Sequence, residues 1–172
     1  MRLWLLRHAK SSWDDPALED RDRPLSPRGE RAADRMCGYL DAEGIRPGLV
    51  LCSSALRTRQ TLARVFPALG PELVVRIEPS VYASGATGLL DRLRRVPDDV
   101  AAVMLIGHNP AIQELAARLA SPGERLDRLT QKFPTGGLAE IEFHPGGWHG
   151  LAEQQGELTR FVIPRELDTP DE

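Results

Sequence analysis

Leu3-Trp4-Leu5-Leu6-Arg7-His8 opens the chain with a short apolar run that ends in two basic residues. Two later segments have the same form: residues 49–52 run into a turn that ends at Arg57, and residues 103–106 run into Gly107-His108. Short apolar runs bounded by turn residues predict buried strands of a parallel sheet. Ligands of open α/β sheets bind beyond the carboxyl ends of the strands. We therefore expect two arginines and two histidines to meet in one crevice.

Helical patterns fill the segments between these strands. Ser26 followed by Pro27 predicts a capped helix start, and Gly44 predicts the end of that helix. Further helices are predicted from residue 56, burying Leu62, Ala63 and Phe66, over 86–95 and from residue 110. Further strands are predicted at 74–77, at 139–143 with one face in water, at 148–151 and at 157–163. The order predicts a three-layer α/β/α fold, in which a mostly parallel central sheet has an antiparallel edge.

Composition narrows the class of protein. The 172 residues fit one domain, 1–172, whose acidic and proline-containing tail from about residue 164 is predicted to be loose. The net charge of −3 provides no basic field for nucleic acid. No apolar run approaches the ~20 residues of a membrane span, and no signal peptide is recognisable, so we predict a cytoplasmic protein. No apolar stripe demands a dimer, which favours a monomer, and Cys37 and Cys52 are predicted to be core residues rather than a disulfide.

The expected crevice suits phosphoryl transfer. Arginines offer rigid forks of donors for phosphate oxygens. A neutral imidazole is a competent nucleophile near pH 7 and needs no strong base to prepare it. Arg7, Arg57, His8 and His108 together predict transfer through a phosphohistidine, with no metal and no cofactor. We do not expect a metal site at His144 and His149, because no acidic or cysteine cluster completes it.

Several motifs also carry a family resemblance. Leu6-Arg7-His8, the segment 53–61 (Ser-Ser-Ala-Leu-Arg-Thr-Arg-Gln-Thr) and Gly107-His108-Asn109 resemble the histidine phosphatase superfamily, which includes phosphoglycerate mutases. The sequences of residues 7–11 and 23–29 resemble those of its small SixA-like phosphohistidine phosphatase branch. The resemblance covers residues 1 to about 143. It implies a phosphoglycerate-mutase-like fold and phosphatase activity. It also implies that His8 attacks phosphorus, while Arg7, Arg57 and His108 bind the nonbridging oxygens.

Other polar residues near these motifs are candidates for substrate binding. Lys10 and Ser11 can reach the phosphate or the substrate, or else be solvated loop residues. Arg23 can face the site or pair with an acid near the rim, and the Asn109 N–H can add a donor at a helix start. Arg59, two residues past Arg57, is expected to be solvated. The pattern leaves open whether Trp13 lines the mouth of the crevice or covers core.

The chain departs from the family at the proton donor. Many members carry a glutamate after the third strand, and that position falls on Ser80 here. Glu78 takes its place only if the register is off by two residues, and Asp14, Asp15 and Asp22 are more remote candidates. An alcohol leaving group needs a proton, whereas the ring of a phosphohistidine can leave as neutral imidazole.

The missing acid favours a phosphohistidine phosphatase that acts on a phosphorylated protein or peptide. The alternative is a phosphomonoesterase for a small phosphorylated metabolite, such as a sugar or nucleotide phosphate. A mutase is less favoured because it needs an acid–base group. A binding module without turnover is disfavoured, because binding alone would not require His8.

Overall fold

The computed structural model describes residues 1–144 and 146–167 of the chain. Its strands form one six-stranded sheet in the order β3-β2-β4-β1-β5-β6. The strands are β1 (Arg2–Arg7), β2 (Leu49–Ser53), β3 (Val74–Glu78), β4 (Ala102–Gly107), β5 (Leu138–Glu142) and β6 (Glu157–Val162). The first four in spatial order are parallel, and β5 and β6 add an antiparallel edge beside β1. The predicted mostly parallel sheet with an antiparallel edge is confirmed.

Helices cover both faces of this sheet. They are α1 (Pro27–Ala42), α2 (Leu56–Val65), α3 (Pro79–Ala83), α4 (Ala86–Leu93), α5 (Ala111–Leu119) and α6 (Glu124–Gln131). Alternate residues of β1 point to opposite faces. Trp4 and Leu6 pack in the core under α1 and α2, whereas Leu3 and Leu5 pack in the core under α4, α5 and α6. The three-layer α/β/α prediction is confirmed.

The start of α1 anchors the loop that follows β1. Ser26 caps α1, because its Oγ accepts from the Gly29 N–H at 3.1 Å. The Ser26 N–H also donates to the Lys10 carbonyl at 2.8 Å. A Cβ on Gly29 would lie 2.0 Å from that same carbonyl oxygen, so only glycine lets the loop approach this closely. Lys10, two residues after His8, is therefore held against the first turn of α1.

The alternation at 139–143 does not produce a wet face. Glu140 on β5 is buried, and its carboxylate lies 3.2 Å from the Arg2 guanidinium and 3.2 Å from that of Arg160. β5 lies between β1 and β6, so charge pairing rather than solvent satisfies the acidic side chain. The prediction of a half-solvated strand was wrong for this reason.

Two other local predictions were also wrong. The segment predicted as a strand at 148–151 contains a single turn of 3₁₀ helix, Trp148–Gly150, because the buried Trp148 indole donates to the Val100 carbonyl. The structure buries Leu62 and Val65 of α2 but exposes Ala63 and, just after the helix, Phe66. Arg57, Thr58 and Thr61 occupy the rest of the buried face of α2, so this face is not the purely apolar stripe that was predicted.

The sequence also predicts a loose C-terminal tail and two cysteines in the core. Pro164–Glu166 form a short 3₁₀ turn in which Pro164 is buried, so the tail is packed at its start, and residues 168–172 lie outside the described residues. Cys37 and Cys52 are free thiols; Cys52 is a core residue as predicted, whereas Cys37 is only partly buried and packs against the core. No helix in the described part of the chain is both long and apolar enough to cross a membrane.

Candidate active site

The register of the sheet brings the two histidines together. Arg7 at the end of β1 pairs with Gly107 at the end of β4, so His8 and His108 follow side by side. The backbone N–H of His8 donates to the Gly107 carbonyl at 3.0 Å, and the imidazole centroids of His8 and His108 lie 5.1 Å apart. This is the juxtaposition that the carboxyl ends of parallel strands predict.

His8 is held in one tautomer. Its Nδ1 lies 2.7 Å from the Ala9 carbonyl oxygen, which can only accept, so the proton lies on Nδ1 and the lone pair on Nε2. The ring is buried, and burial, together with the positive charges of Arg57 and Arg7, lowers the pKa of His8 to about 3 against the raising effect of the Ala9 hydrogen bond. The ring is therefore neutral at pH 7. The acceptor that orients it is the carbonyl of the next residue.

The two arginines reach the same place from different elements. Arg7 donates through Nη1 to the Phe133 carbonyl at 2.7 Å, and its buried Nε has no hydrogen-bond partner among the described residues. Burial also lowers the pKa of Arg7 below its usual range. Arg57, in the first turn of α2, is buried and donates from Nη1 and Nη2 to Asp20, at 2.6 Å to the carbonyl oxygen and 2.9 Å to Oδ2. The guanidinium groups of Arg57, which is buried, and of Arg7, which is half-buried, have unused N–H donors and together make a strong anion site.

His108 is a second neutral imidazole. Its Nε2 lies 2.6 Å from Ser53 Oγ at the end of β2, and its buried Nδ1 has no partner among the described residues. Burial lowers the pKa of His108 to about 4, with Arg57 contributing next. The ring of Tyr82 packs edge-on against it, with the centroids 5.5 Å apart. A neutral His108 can donate one N–H to a phosphoryl oxygen.

The candidate substrate-binding residues separate into two groups. A cleft of about 250 Å³ is lined by Arg7, His8, Arg57, Lys10, Ser11, Arg23, Trp13 and Thr135. Ser11 and Arg23 bind each other, because Arg23 Nη2 donates to Ser11 Oγ at 2.6 Å. Trp13 lies at the mouth, 76% exposed, with the Arg23 guanidinium stacked on one face of its ring. Lys10, Ser11 and Arg23 therefore belong to the cleft, and Trp13 lines its mouth.

Other candidates lie elsewhere or are already engaged. The Asn109 side chain donates to Gln113 Oε1 at 2.8 Å and to the Phe133 carbonyl at 3.2 Å, so the side chain holds α5 and does not line the cleft, while the role of the backbone N–H of Asn109 as a donor stays a prediction. Arg59 is exposed, as expected, and donates to the Ser54 carbonyl.

Glu78 forms an ion pair with Arg92. Both of its oxygens accept from Arg92 at 2.7 Å, and these bonds hold the pKa of Glu78 below its usual range. Neither Glu78 nor Ser80 is among the described residues that line the cleft. A carboxylate locked this way is a poor proton donor.

The structure adds Asp20, Tyr82 and Thr135 to the residues that the sequence predicts for this site. Asp20 contacts Arg57, Arg23 and Tyr82, yet it is one of five acids in the loop after β1, and no spacing singles it out. Only the folded contacts distinguish it. Among the described residues no group of three or more potential ligands could hold a metal, and His149 pairs instead with Asp98 at 3.3 Å.

The arrangement can carry out one kind of chemistry well. A neutral nitrogen nucleophile faces a cleft lined by two guanidinium groups, beside a second neutral imidazole. Positioning and charge stabilisation are the main needs of phosphoryl transfer. A phosphoryl group seated on the two arginines would meet His8 Nε2.

Comparison with known proteins agrees with this geometry. The family model of the histidine phosphatase superfamily, branch 1, matches residues 3–81. A solved structure assigned as a SixA-type phosphohistidine phosphatase from Nakamurella multipartitia is 31% identical, covers 95% of each chain and superposes with a TM-score of 0.82. The structure of the protein histidine phosphatase SixA complexed with tungstate is 25% identical, with 98% of this chain and 100% of that chain covered and a TM-score of 0.80. The phosphohistidine phosphatase SixA of Escherichia coli strain K12 is 28% identical over 149 residues, 86% of this chain and 88% of its own length.

Proposed function

The chain belongs to the histidine phosphatase superfamily and is similar to its SixA branch, and from that premise we propose that it hydrolyses phosphohistidine on a protein or peptide. His8 attacks phosphorus with Nε2, the P–N bond breaks, and the phosphoryl group is held on His8 until water releases it. Arg7, Arg57 and His108 bind the nonbridging oxygens. The expected sites Lys10, Ser11 and Arg23 contribute at the rim.

In the described part of the cleft, the lack of a carboxyl group that could donate a proton favours phosphohistidine over a phosphate ester as the substrate. None of the described residues that line the cleft has a carboxyl group, and Glu78 is held ionised by Arg92. An alkyl phosphate would then lose its alcohol without a proton donor, which costs roughly 10²–10⁴ in rate. A phosphohistidine ring protonated on its far nitrogen leaves as neutral imidazole and avoids that cost.

The mouth of the cleft fits a macromolecular substrate. Trp13, in the loop after β1, lines the cleft and is 76% exposed. An exposed aromatic side chain beside a phosphate site offers contact area to a polypeptide that carries the phosphoryl group. A phosphorylated protein or peptide is therefore the partner that we propose, and a monomeric, cytoplasmic enzyme stays a prediction from the sequence.

Two matched peptides test the proposal. They share one sequence and carry either phosphohistidine or phosphoserine, and phosphate release is followed with and without a chelator. We expect faster release from phosphohistidine and no effect of the chelator, because the two guanidinium groups supply the positive charge at the phosphoryl group. Faster release from phosphoserine would contradict the proposal and favour a phosphomonoesterase. Loss of activity in chelator would contradict a metal-free reaction.

A further inference from the structure

Asp20 bonds to two arginines of the site, yet neither the proposed chemistry nor the sequence motifs give it a role. It begins the short 3₁₀ turn Asp20–Asp22 in the loop after β1. Its Oδ2 accepts from Arg57 Nη2 at 2.9 Å and from the Tyr82 hydroxyl at 3.0 Å, and its Oδ1 accepts from Arg23 Nη1 at 3.1 Å. Four donors from three parts of the chain, counting the Arg57 bond to its backbone carbonyl, fix this carboxylate in place.

Its position is beside the phosphoryl site and open to an incoming ligand. Arg57 and Arg23, which hold it, both line the cleft, and Tyr82 packs against His108. The Asp20 side chain is nevertheless 54% exposed. Oδ1 has one donor in the structure, so a second N–H can approach it from the solvent side.

We propose that the Asp20 carboxylate accepts a hydrogen bond from the far-nitrogen N–H of the substrate imidazole and so makes the site selective for phosphohistidine. This inference rests on the proposed function. Before transfer, the phosphorylated ring carries a proton on its far nitrogen and is a cation. A carboxylate next to that N–H stabilises the cation and keeps the ring protonated.

The step balances without a proton moving to or from Asp20. The His8 Nε2 lone pair forms the new N–P bond, and the electron pair of the old P–N bond returns to the substrate ring. The ring leaves as neutral imidazole with its far N–H still in place. An alkyl or aryl phosphate has no N–H at this position, so it gains nothing from Asp20.

The charges around Asp20 favour an acceptor over an acid. Arg57 and Arg23 face it from α2 and from the loop, and Tyr82 donates to it from α3. Although desolvation by burial opposes them, these contacts hold the pKa of Asp20 below its usual range. A group that stays ionised at neutral pH can accept a proton-bearing nitrogen but cannot supply the proton that an alcohol needs.

Asp20→Asn tests this against a merely structural role. The amide is isosteric and can still bind Arg57 through its oxygen, but it is neutral. Wild type, Asp20→Asn and the matched control Glu19→Gln, which removes a charge from the adjacent and exposed position, are each assayed on a phosphohistidine peptide and on 4-nitrophenyl phosphate. The phenolate of the second substrate leaves without a proton, so each protein provides its own reference for folding and for phosphate binding.

We expect the ratio of kcat/KM for phosphohistidine over 4-nitrophenyl phosphate to fall about 10-fold or more in Asp20→Asn and to stay at the wild-type value in Glu19→Gln. The alkaline limb of the phosphohistidine pH profile should shift about one unit toward lower pH in Asp20→Asn, because the bound ring loses its proton sooner. Equal losses on both substrates would overturn the proposal and reduce Asp20 to a positioning residue for Arg57. With the matched phosphoserine peptide as a third substrate, a larger loss there than on phosphohistidine would overturn the proposal in favour of a general acid. Failure of wild type on phosphohistidine would instead reject the proposed function, and it is visible before any variant is compared.

Discussion

Replacing Thr61 by valine should damage both the stability and the activity of the protein. Thr61 is buried on α2, and its Oγ1 accepts from the Ala9 N–H at 3.0 Å while donating to the Arg57 carbonyl at 2.7 Å. Ala9 is the residue whose carbonyl holds the Nδ1–H of His8. Valine keeps the shape of threonine but removes the acceptor.

The size of the effect follows from the unpaired group. The Ala9 N–H is fully buried and would be left without a partner, which costs about 1–3 kcal/mol in the free energy of unfolding. For a chain of this length that corresponds to about 2–12 °C in Tm. Any shift of Ala9 also moves the carbonyl that orients His8, so we expect kcat to fall about 10-fold or more.

Thermal melts and steady-state rates on one preparation measure both effects. Thr61→Ser is the matched control, because it keeps the hydroxyl and loses one methyl, about 0.8 kcal/mol, with little change in kcat. If Thr61→Val kept both the Tm and the kcat of wild type, the chain of contacts from Thr61 through Ala9 to His8 would be refuted.

Three further predictions concern the site. Arg57→Lys keeps the positive charge but loses the two-pronged guanidinium that binds Asp20, so kcat/KM should fall about 10²–10³-fold. A loss of less than threefold in a steady-state assay would be inconsistent with a phosphate-binding role for Arg57. The folded-state pKa values of His8 and His108, about 3 and about 4, lie below the unfolded value of about 6.5. The unfolded chain therefore binds more protons between about pH 6.5 and 4, and urea midpoints should fall as the pH is lowered through that window. That fall should be smaller in His8→Asn, and an equal fall in wild type and variant would argue against a buried neutral His8. Glu78→Gln should leave the rate on a phosphoserine peptide unchanged, because Glu78 is paired with Arg92, and a drop of 10-fold would instead identify it as the proton donor.

The sequence predicts the framework of the site because the strand ends that carry it are encoded locally. Apolar runs before Arg7-His8, the turn leading to Arg57, and Gly107-His108 each mark a parallel strand, and parallel strands end at one edge. Burial then accounts for the neutral histidines. What the sequence does not predict are the partners that depend on loop conformation, such as the Asp20 bonds to Arg57 and Tyr82.

The difference between local patterns and long-range contacts also explains which predictions of the fold were wrong. The alternation around Glu140 indicates a strand, but it does not reveal that Arg2 and Arg160 lie against the glutamate from neighbouring strands. The apolar residues around Trp148 suggest a strand, but they do not reveal that its indole donates to the Val100 carbonyl from a 3₁₀ turn. In both cases, contacts far apart in sequence decide the local structure.

Trapping the phosphorylated enzyme tests the central claim most directly. Wild type is mixed with a ³²P-phosphohistidine peptide, quenched in alkali within the first turnovers, and digested to map the label, with His8→Asn and His149→Asn as comparison proteins. The account predicts label on the peptide that contains His8 in wild type and in His149→Asn, and none in His8→Asn. Phosphate release at full rate with label on another residue, or undiminished turnover by His8→Asn, would contradict it.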